Sequence, residues 1–213
     1  MAMNERRFGA LLGYALLVVS AVVAFFLTPF LVGQLGKAQF GVYSIVGSLA
    51  AYFMLLDLGL NDTVVRYIVR YRRRQDAAGL ANFMAIMLGL YACIAAALAA
   101  IGAAIYVALP SLFGASLTPA ELTLLKQMFL VVLAGGALTI QLNPFSGVLI
   151  AHERFILSRG LDLVLQVGTA AAIVAVLLMG LKAVAVVAVM TVSTLAAAVF
   201  KTTYAVTRLG VRV

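Results

Sequence analysis

The sequence predicts an all-α membrane protein that is a bundle of six transmembrane helices. Hydrophobic residues make up 65% of the 213 residues and charged residues only 10%, whereas a soluble domain is about half apolar and a quarter charged. The mean hydropathy is +1.16. Six long runs lack ionisable residues, and a helix needs about 20 mainly apolar residues to cross a bilayer. Barrel strands would instead alternate over about ten residues.

The boundaries of the six helices follow from these runs and from loop signals between them. The long run 77–120 counts as one helix and a loop, because Pro110, Gly114 and Pro119 cluster near its end. The stretch after Arg6 and Arg7 is too long for a cleavable signal and therefore stays as helix 1. The predicted spans are 8–35, 40–60, 79–109, 121–150, 157–181 and 183–206.

Two prolines are predicted hinges inside these helices. Pro29 lies in the outer third of helix 1, and Pro144 follows the pair Gly135-Gly136 in helix 4. Interrupted helices of this kind are typical of transporters. Thr118 and Glu121 have the spacing of a capping box that opens helix 4.

Basic residues predict the orientation of the bundle. With six spans, twelve of the fifteen lysines and arginines fall on the side of the termini, and only Lys37, Lys126 and Lys182 fall on the other. The positive-inside rule then places both termini in the cytoplasm. Nucleic-acid binding is not expected, since the arginines lie at membrane ends. Neither is a metal site, since Cys93 and His152 are isolated.

The stretch LLDLGLNDTVVRYIVRYRRRQD (55–76) predicts an amphipathic cytoplasmic extension of helix 2 over 61–76. At 100° per residue, Asp62, Arg66, Arg70 and Arg73 share one ridge. Asp57 and Asn61 would face the opposite side of a straight helix. Two interpretations stay open for the arginines at the end of this stretch, Arg72, Arg73 and Arg74. They either form a solvated helix end or belong to a functional surface.

The presence of acidic residues near the membrane requires a physical explanation, because a charged carboxylate in the hydrocarbon region is energetically unfavourable. Asp57 and Asp62 lie at the end of helix 2, and Arg159 and Asp162 form an i,i+3 pair at the start of helix 5. The two clusters are at the same depth in the predicted topology. They either share a polar cavity open to the cytoplasm or form local pairs that fix helix ends.

Several motifs resemble those of polysaccharide-biosynthesis flippases, which export O-antigen and exopolysaccharide units and belong to the multidrug/oligosaccharidyl-lipid/polysaccharide exporter superfamily. The similarity is carried by LG at 35–36, FGVYS at 40–44, DLGL at 57–60 and RYIVRY at 66–71. The later NPFSGVLIAHERF (143–155) is similar to the family's segment after helix 4. The likeness spans helices 1–5 in register.

This resemblance implies a transport function and no enzymatic activity or cofactor. Such proteins flip undecaprenyl-pyrophosphate-linked oligosaccharides from the cytoplasmic to the outer leaflet of the bacterial inner membrane by alternating access between two lobes. Family members have 12–14 helices, so this chain is expected to be the N-terminal lobe, half of a two-lobe transporter. Its partners would be the lipid-linked substrate, membrane lipids, a second lobe (the same chain continued or a second copy) and polymerase or glycosyltransferases.

By position, Arg66 and Arg70, and next Arg159, are the residues expected to bind the pyrophosphate, because a guanidinium donates two parallel bonds to phosphate. Asp57, Asn61, Asp62 and Asp162 are the expected supporting polar residues.

Three alternatives remain. A cation-coupled drug exporter of the same superfamily is the nearest, although helix 1 carries no acid between Phe8 and Gly36. A non-transporting membrane scaffold or partner subunit is the second. An enzyme acting on lipid-linked sugars is the third, but its loops would need more carboxylates.

Overall fold

The computed structural model describes the backbone of residues 2–54 and 59–209, and the side chains of residues 11–52 and 59–209. All elements in these ranges are helices. They are α1 (Ala2–Met54), α2 (Leu60–Arg73), α3 (Ala77–Phe113), α4 (Pro119–Leu142), α5 (Pro144–Ala151), α6 (Phe155–Leu178) and α7 (Ala183–Leu209). Asp57, one of the predicted polar site residues, lies outside the described residues.

Five helices in the described part of the chain are long and apolar enough to cross a membrane. The protein is therefore a multi-pass helical membrane protein. The predicted count of six separate helices is not reproduced: the first predicted span and the second as far as Met54 form the single helix α1. The apolar part of α1, Leu11–Tyr52, has 42 residues, about twice what one crossing requires.

The helical geometry of α1 is interrupted at Gly36, whose φ of 71° and ψ of 166° are not helical. Only glycine adopts a positive φ of this kind without a steric penalty. By contrast, α1 continues through Pro29, the predicted hinge. The predicted spans 8–35 and 40–60 leave a turn around this glycine, whereas the predicted hinge within helix 1 was Pro29.

The two parts of α1 lie beside the same region of α7. Met190 and Thr194 line one cavity with Leu16, Ser20 and Leu27. The same two residues line a second cavity with Tyr43 and Ala50. In a straight helix, residues 27 and 43 would be about 24 Å apart along the axis. The chain must therefore change direction sharply between them.

Neighbouring helices α3 and α4 pack antiparallel through a small residue. Gly102 of α3 lies against the Leu133 side chain, and a Cβ at this position would overlap with it. Nearer the other end of the pair, Gln141 Nε2 donates a hydrogen bond to the Leu88 carbonyl oxygen at 3.3 Å. Small residues allow helices to approach closely in lipid, where burial of apolar surface gives little driving force.

The buried core consists of two clusters that divide the bundle along its length. One cluster contains Leu35, Leu125 and Ala183, which lie beside the three lysines of the predicted outer side. The other contains Ile68 and Ala205, which lie beside the arginines of α2 and α7. The basic residues of these regions are thus separated between the two ends of the bundle.

The fourth predicted span, 121–150, is divided into two helices. Helix α4 begins with the predicted capping box: the Thr118 side chain accepts from the Glu121 amide, and the Glu121 carboxylate accepts from the Thr118 amide. This prediction is confirmed. Helix α4 ends at Leu142, and Pro144 opens α5 as its first residue, a position where its missing N–H is not needed.

Candidate functional site

Helix α2 is an amphipathic helix whose apolar face is buried and whose basic face is exposed. It follows Gly59, which has a φ of 72°, and it covers most of the predicted extension 61–76. Val64 and Ile68 are fully buried in its packing against α5 and neighbouring residues. Asp62, Arg66 and Arg70 are exposed. The ridge therefore faces away from the core.

Helix α2 packs closely against α5 at Gly147. A Cβ at Gly147 would overlap with Asn61 Oδ1 and crowd Val64. Asn61 Oδ1 is buried and has no hydrogen-bond partner among the residues that the structure describes. A buried polar atom without a partner costs about 1–3 kcal/mol. Asn61, a predicted supporting residue, thus lies inside the α2–α5 contact rather than on the arginine ridge.

A hydrogen bond from Arg72 joins the C-terminal end of α2 to the C-terminal end of α5. Its Nη1 donates to the Ala151 carbonyl oxygen at 2.7 Å, one of the terminal carbonyls that has no partner within its own helix. Beside this bond is a cavity of about 580 Å³. Its lining combines polar and apolar side chains: Arg72, Arg73, His152 and Glu153 with Val65, Val69, Ile150 and Phe155.

The imidazole of His152 forms part of the wall of this cavity. Its Nδ1 lies 2.8 Å from the Val148 carbonyl oxygen, so the ring carries its proton on Nδ1 when neutral. Burial lowers the pKa of His152 below its ordinary value of 6.5, the Val148 carbonyl opposes the shift, and the charges of Arg72 and Arg154 add to it. The cavity therefore contains a neutral imidazole at neutral pH.

A second polar feature is an ion pair inside the bundle. Lys201 Nζ of α7 lies 2.8 Å from Asp162 Oδ1 of α6, and the two side chains are 13% and 26% exposed. Asp162 also lines the cavity of about 320 Å³ between α1, α6 and α7. Other hydrogen-bonding side chains in its wall are Ser20, Gln166, Thr169, Ser193 and Thr194.

The structure distributes the predicted phosphate-binding residues over an exposed surface. Arg66 and Arg70 lie on α2, and Arg159 is exposed on α6. None of the three forms a hydrogen bond or an ion pair within the described residues, and none lines the two cavities above. The expected pair of Arg159 with Asp162 is replaced by the pair of Asp162 with Lys201.

Of the residues in the two predicted polar clusters, only Asp162 lines one of these cavities. Asp62 and Arg159 line neither of them, and Asp57 lies outside the described residues. Helix α2 packs on α5 and α3, whereas α6 packs on α1 and α7. Asp162 lines the cavity beside α1, and the arginines at the end of α2 line the cavity beside α5. The predicted local pair of Arg159 with Asp162 is not formed. The shared cavity open to the cytoplasm stays a prediction, because Asp57 lies outside the described residues.

Comparisons with protein-family models, with curated proteins and with solved structures found no match to this chain. Its class is therefore defined by its own features: a multi-pass helical membrane protein with a basic amphipathic helix at one end and an ion pair within the bundle. Among the described residues, no group of histidine, cysteine, aspartate and glutamate has the arrangement of a metal site.

Sequence reasoning missed three of these groups. Lys201 and His152 received no role, and Arg72 was left between a solvated helix end and a functional surface. The sequence signal for Arg72 was weak, because Arg72 is one of five arginines within nine residues and nothing in the sequence distinguishes it from the others. The signal for Lys201 was clearer, since it interrupts an otherwise apolar helix and its charge requires a partner there.

Proposed function

We propose that this chain takes part in polysaccharide export, as one lobe of a flippase that moves undecaprenyl-pyrophosphate-linked oligosaccharides across the bacterial inner membrane. The observation that carries the proposal is the exposed pair Arg66 and Arg70 on α2. Both guanidinium groups are free to take an external anion, since neither bonds to another described residue. The resemblance of 31–71 and 143–155 to polysaccharide flippases supplies the substrate class.

The proposed topology has six spans, with α1 crossing the membrane twice. Its support is the non-helical Gly36 together with the two parts of α1 that both reach Met190 and Thr194. The termini and α2 are then cytoplasmic, because that end carries most of the basic residues. The ridge of α2 would lie where a lipid-linked sugar is presented before transport.

The proposed role of the arginines is electrostatic. A pyrophosphate diester carries two negative charges, and a guanidinium offers a planar pair of donors that remains charged at any relevant pH. Asp62 precedes Arg66 by one helical turn but does not pair with it among the described residues; its proposed role is to orient the Arg66 guanidinium as the lobes move. Arg159 joins the site from α6 when the lobes close around the headgroup.

Alternating access requires a second wall for the transport path. That wall would come from a second lobe, either a continuation of the chain or a second copy. The breaks at Gly36 and at Asn143–Pro144 are the proposed bending points within this lobe. The earlier candidate Pro29 would act with Gly36, seven residues further on, rather than alone.

A second candidate function is cation-coupled export by the same superfamily. Helix 1 has no acid of its own, which disfavoured this function at first. However, Ser20 of α1 shares a cavity with Asp162 of α6, so an acidic side chain does lie beside helix 1. The acid is already neutralised by Lys201, and a cation would have to displace that ammonium group.

The test is binding of undecaprenyl pyrophosphate by the purified chain in detergent micelles. The variant Arg66→Gln/Arg70→Gln is expected to weaken binding about 30-fold or more, because each charged hydrogen bond contributes about 1.5–3 kcal/mol, part of which glutamine retains. The matched control, Arg74→Gln/Arg208→Gln, removes two exposed arginines elsewhere and is expected to change affinity less than threefold.

Export itself is tested in cells that depend on the gene for surface polysaccharide. Cells with the double variant of α2 should lose surface polymer while the protein still inserts at wild-type levels. Normal polymer output from correctly inserted variant protein would reject the proposed role of the ridge. Equal loss of binding in both double variants would instead indicate general charge attraction to the lipid.

A further inference from the structure

The cavity between α2 and the α5–α6 turn has the properties of a site for an anionic lipid. We infer that it binds the phosphodiester headgroup of an anionic phospholipid from the cytoplasmic leaflet, held by Arg72 and Arg73. Arg73 belongs to the predicted ridge, but Arg66 and Arg70 do not line this cavity, and the inference does not depend on transport. The argument rests on the shape of the cavity, its charge and its depth in the membrane.

The volume and lining of the cavity match a lipid headgroup with the beginning of its chains. About 580 Å³ is available, which is enough for a phosphate and its glycerol. One part of the wall is apolar, formed by Val65, Val69, Ile150 and Phe155. A soluble anion would gain nothing from that part, whereas the upper acyl chain of a lipid would be covered by it.

The charge of the cavity favours an anion. Arg72 and Arg73 line it together with a single carboxylate, Glu153, so the charged lining is net positive. His152 adds a neutral ring, and Arg154 is close enough to act on it electrostatically. Helix α6 begins at Phe155 without a side-chain cap, which brings the positive end of a helix dipole to the same wall.

Arg72 is already oriented before any ligand arrives. Its Nη1 is fixed on the Ala151 carbonyl oxygen, so the rest of its guanidinium is held at the cavity and little side-chain entropy remains to be lost. Arg73 makes no bond to any described residue and supplies a second, mobile donor. One fixed and one mobile guanidinium can hold the two non-bridging oxygens of a phosphodiester.

The depth of the cavity matches the headgroup region of the bilayer. The apolar stretch Pro119–Ala151 ends at this point, and the polar turn His152–Glu153 follows. Basic pockets at the cytoplasmic ends of membrane helices are known places for anionic headgroups. The chain therefore presents a guanidinium pair at the level where a leaflet lipid carries its phosphate.

The absence of tryptophan from the sequence allows a local fluorescence test. A single reporter, Phe155→Trp, is placed in the cavity wall, and the protein is reconstituted into vesicles with lipids brominated on their acyl chains. Bromine quenches an indole only at short range. Brominated phosphatidylglycerol in a phosphatidylcholine background is expected to quench this reporter with about 25-fold preference over brominated phosphatidylcholine, on the order of a fivefold gain for each of the two arginines.

Two controls define the site. The reporter Val107→Trp replaces a side chain that is 78% exposed on α3, and both lipids should quench it equally. Arg72→Gln/Arg73→Gln, made in the Phe155→Trp background, should abolish the preference for phosphatidylglycerol. Arg66→Gln/Arg70→Gln removes the same charge from the same helix outside the cavity and should retain it, even at 500 mM NaCl, where surface attraction is screened.

The same vesicles separate a lipid site from a phosphate site. Inorganic pyrophosphate at 10 mM should leave quenching unchanged if a phospholipid occupies the cavity; its full relief would overturn the lipid assignment. Equal losses in both double variants would also overturn it, as would equal quenching of both reporters. If the double variant of the cavity does not fold, Arg73→Gln alone should lose at least half of the preference, because Arg73 has no bond to a described residue that the change would remove.

Discussion

At the scale of single residues, His152 is the group in the described structure whose charge is most sensitive to pH near neutrality. Its Nδ1–H donates to the Val148 carbonyl oxygen, and its ring lies beside Arg72, whose guanidinium is bonded to Ala151. Protonation of His152 would add a third positive charge at the end of α5, beside those of Arg72 and Arg154. Burial and the two arginines therefore hold the pKa of His152 below 6.5.

This shift predicts a loss of stability in mild acid. Between the lowered folded pKa of His152 and its ordinary value of 6.5, the unfolded chain binds more protons than the folded chain, so the free energy of unfolding falls as the pH falls. The contribution is fully present above pH 6.5 and is lost as the pH decreases through the folded value. Melting curves in detergent micelles between pH 7.5 and 5.5 measure it.

The matched variant for this prediction is His152→Asn. Its side-chain amide can donate to the Val148 carbonyl oxygen as Nδ1–H does, but it does not titrate. Its melting temperature should depend less on pH than that of the unchanged chain over the same interval. Parallel curves would show that another group causes the acid sensitivity.

At the scale of helices, local patterns were predicted correctly and long-range contacts were not. The capping box at Thr118–Glu121 could be read from four residues, because its bonds lie within one helical turn. The basic helix α2 was similarly readable from its periodicity. The ion pair between Asp162 and Lys201 joins residues 39 positions apart, so the sequence offered the nearer Arg159 as a partner instead.

The interruption of α1 illustrates a different limit. Proline is a strong sequence signal for a kink, and Pro29 was chosen for that reason. A proline in a membrane helix is tolerated when neighbouring groups compensate for its lost hydrogen bond. Gly36 lies in the turn predicted between the spans 8–35 and 40–60, and its missing Cβ permits the positive φ that redirects the chain.

The contact between α3 and α4 predicts a strict size limit at Gly102. Gly102→Val would place branched carbon atoms where Leu133 now lies, and overpacking of this kind costs about 1–3 kcal/mol. The loss is measured as decreased stability in a denaturing-detergent titration. Gly89→Val is the control on the same helix, because no atom approaches its Cβ position within 4 Å.

A second substitution tests the cause of that loss. Leu133→Ala creates space opposite Gly102, so the combination Gly102→Val/Leu133→Ala should be less destabilised than the sum of the single changes. If the effects simply add, the valine acts through something other than Leu133. Equal losses at Gly89 and Gly102 would indicate a general effect of valine on α3.

At the scale of the whole molecule, the separation of basic residues and the bend at Gly36 lead to one orientation. The end with Lys37, Lys126 and Lys182 is expected outside the cytoplasm, and the end with α2 inside. If α1 crossed the membrane only once, positions 37 and 182 would lie at different depths in the membrane or on different sides of it. If it crosses twice, they lie on the same side.

Single cysteines test this arrangement directly. Cys93 is the only cysteine and is first replaced by alanine. Lys37→Cys and Lys182→Cys should then react with a membrane-impermeant thiol reagent added outside intact cells, because both positions flank the outer ends of predicted spans. Arg74→Cys should react only after the cells are permeabilised, since Arg74 is exposed and the proposed topology puts the turn after α2 on the cytoplasmic side. A position 37 that is protected in intact cells, while position 182 is labelled, would reject the double crossing of α1 and with it the six-span lobe on which the proposed transport path depends.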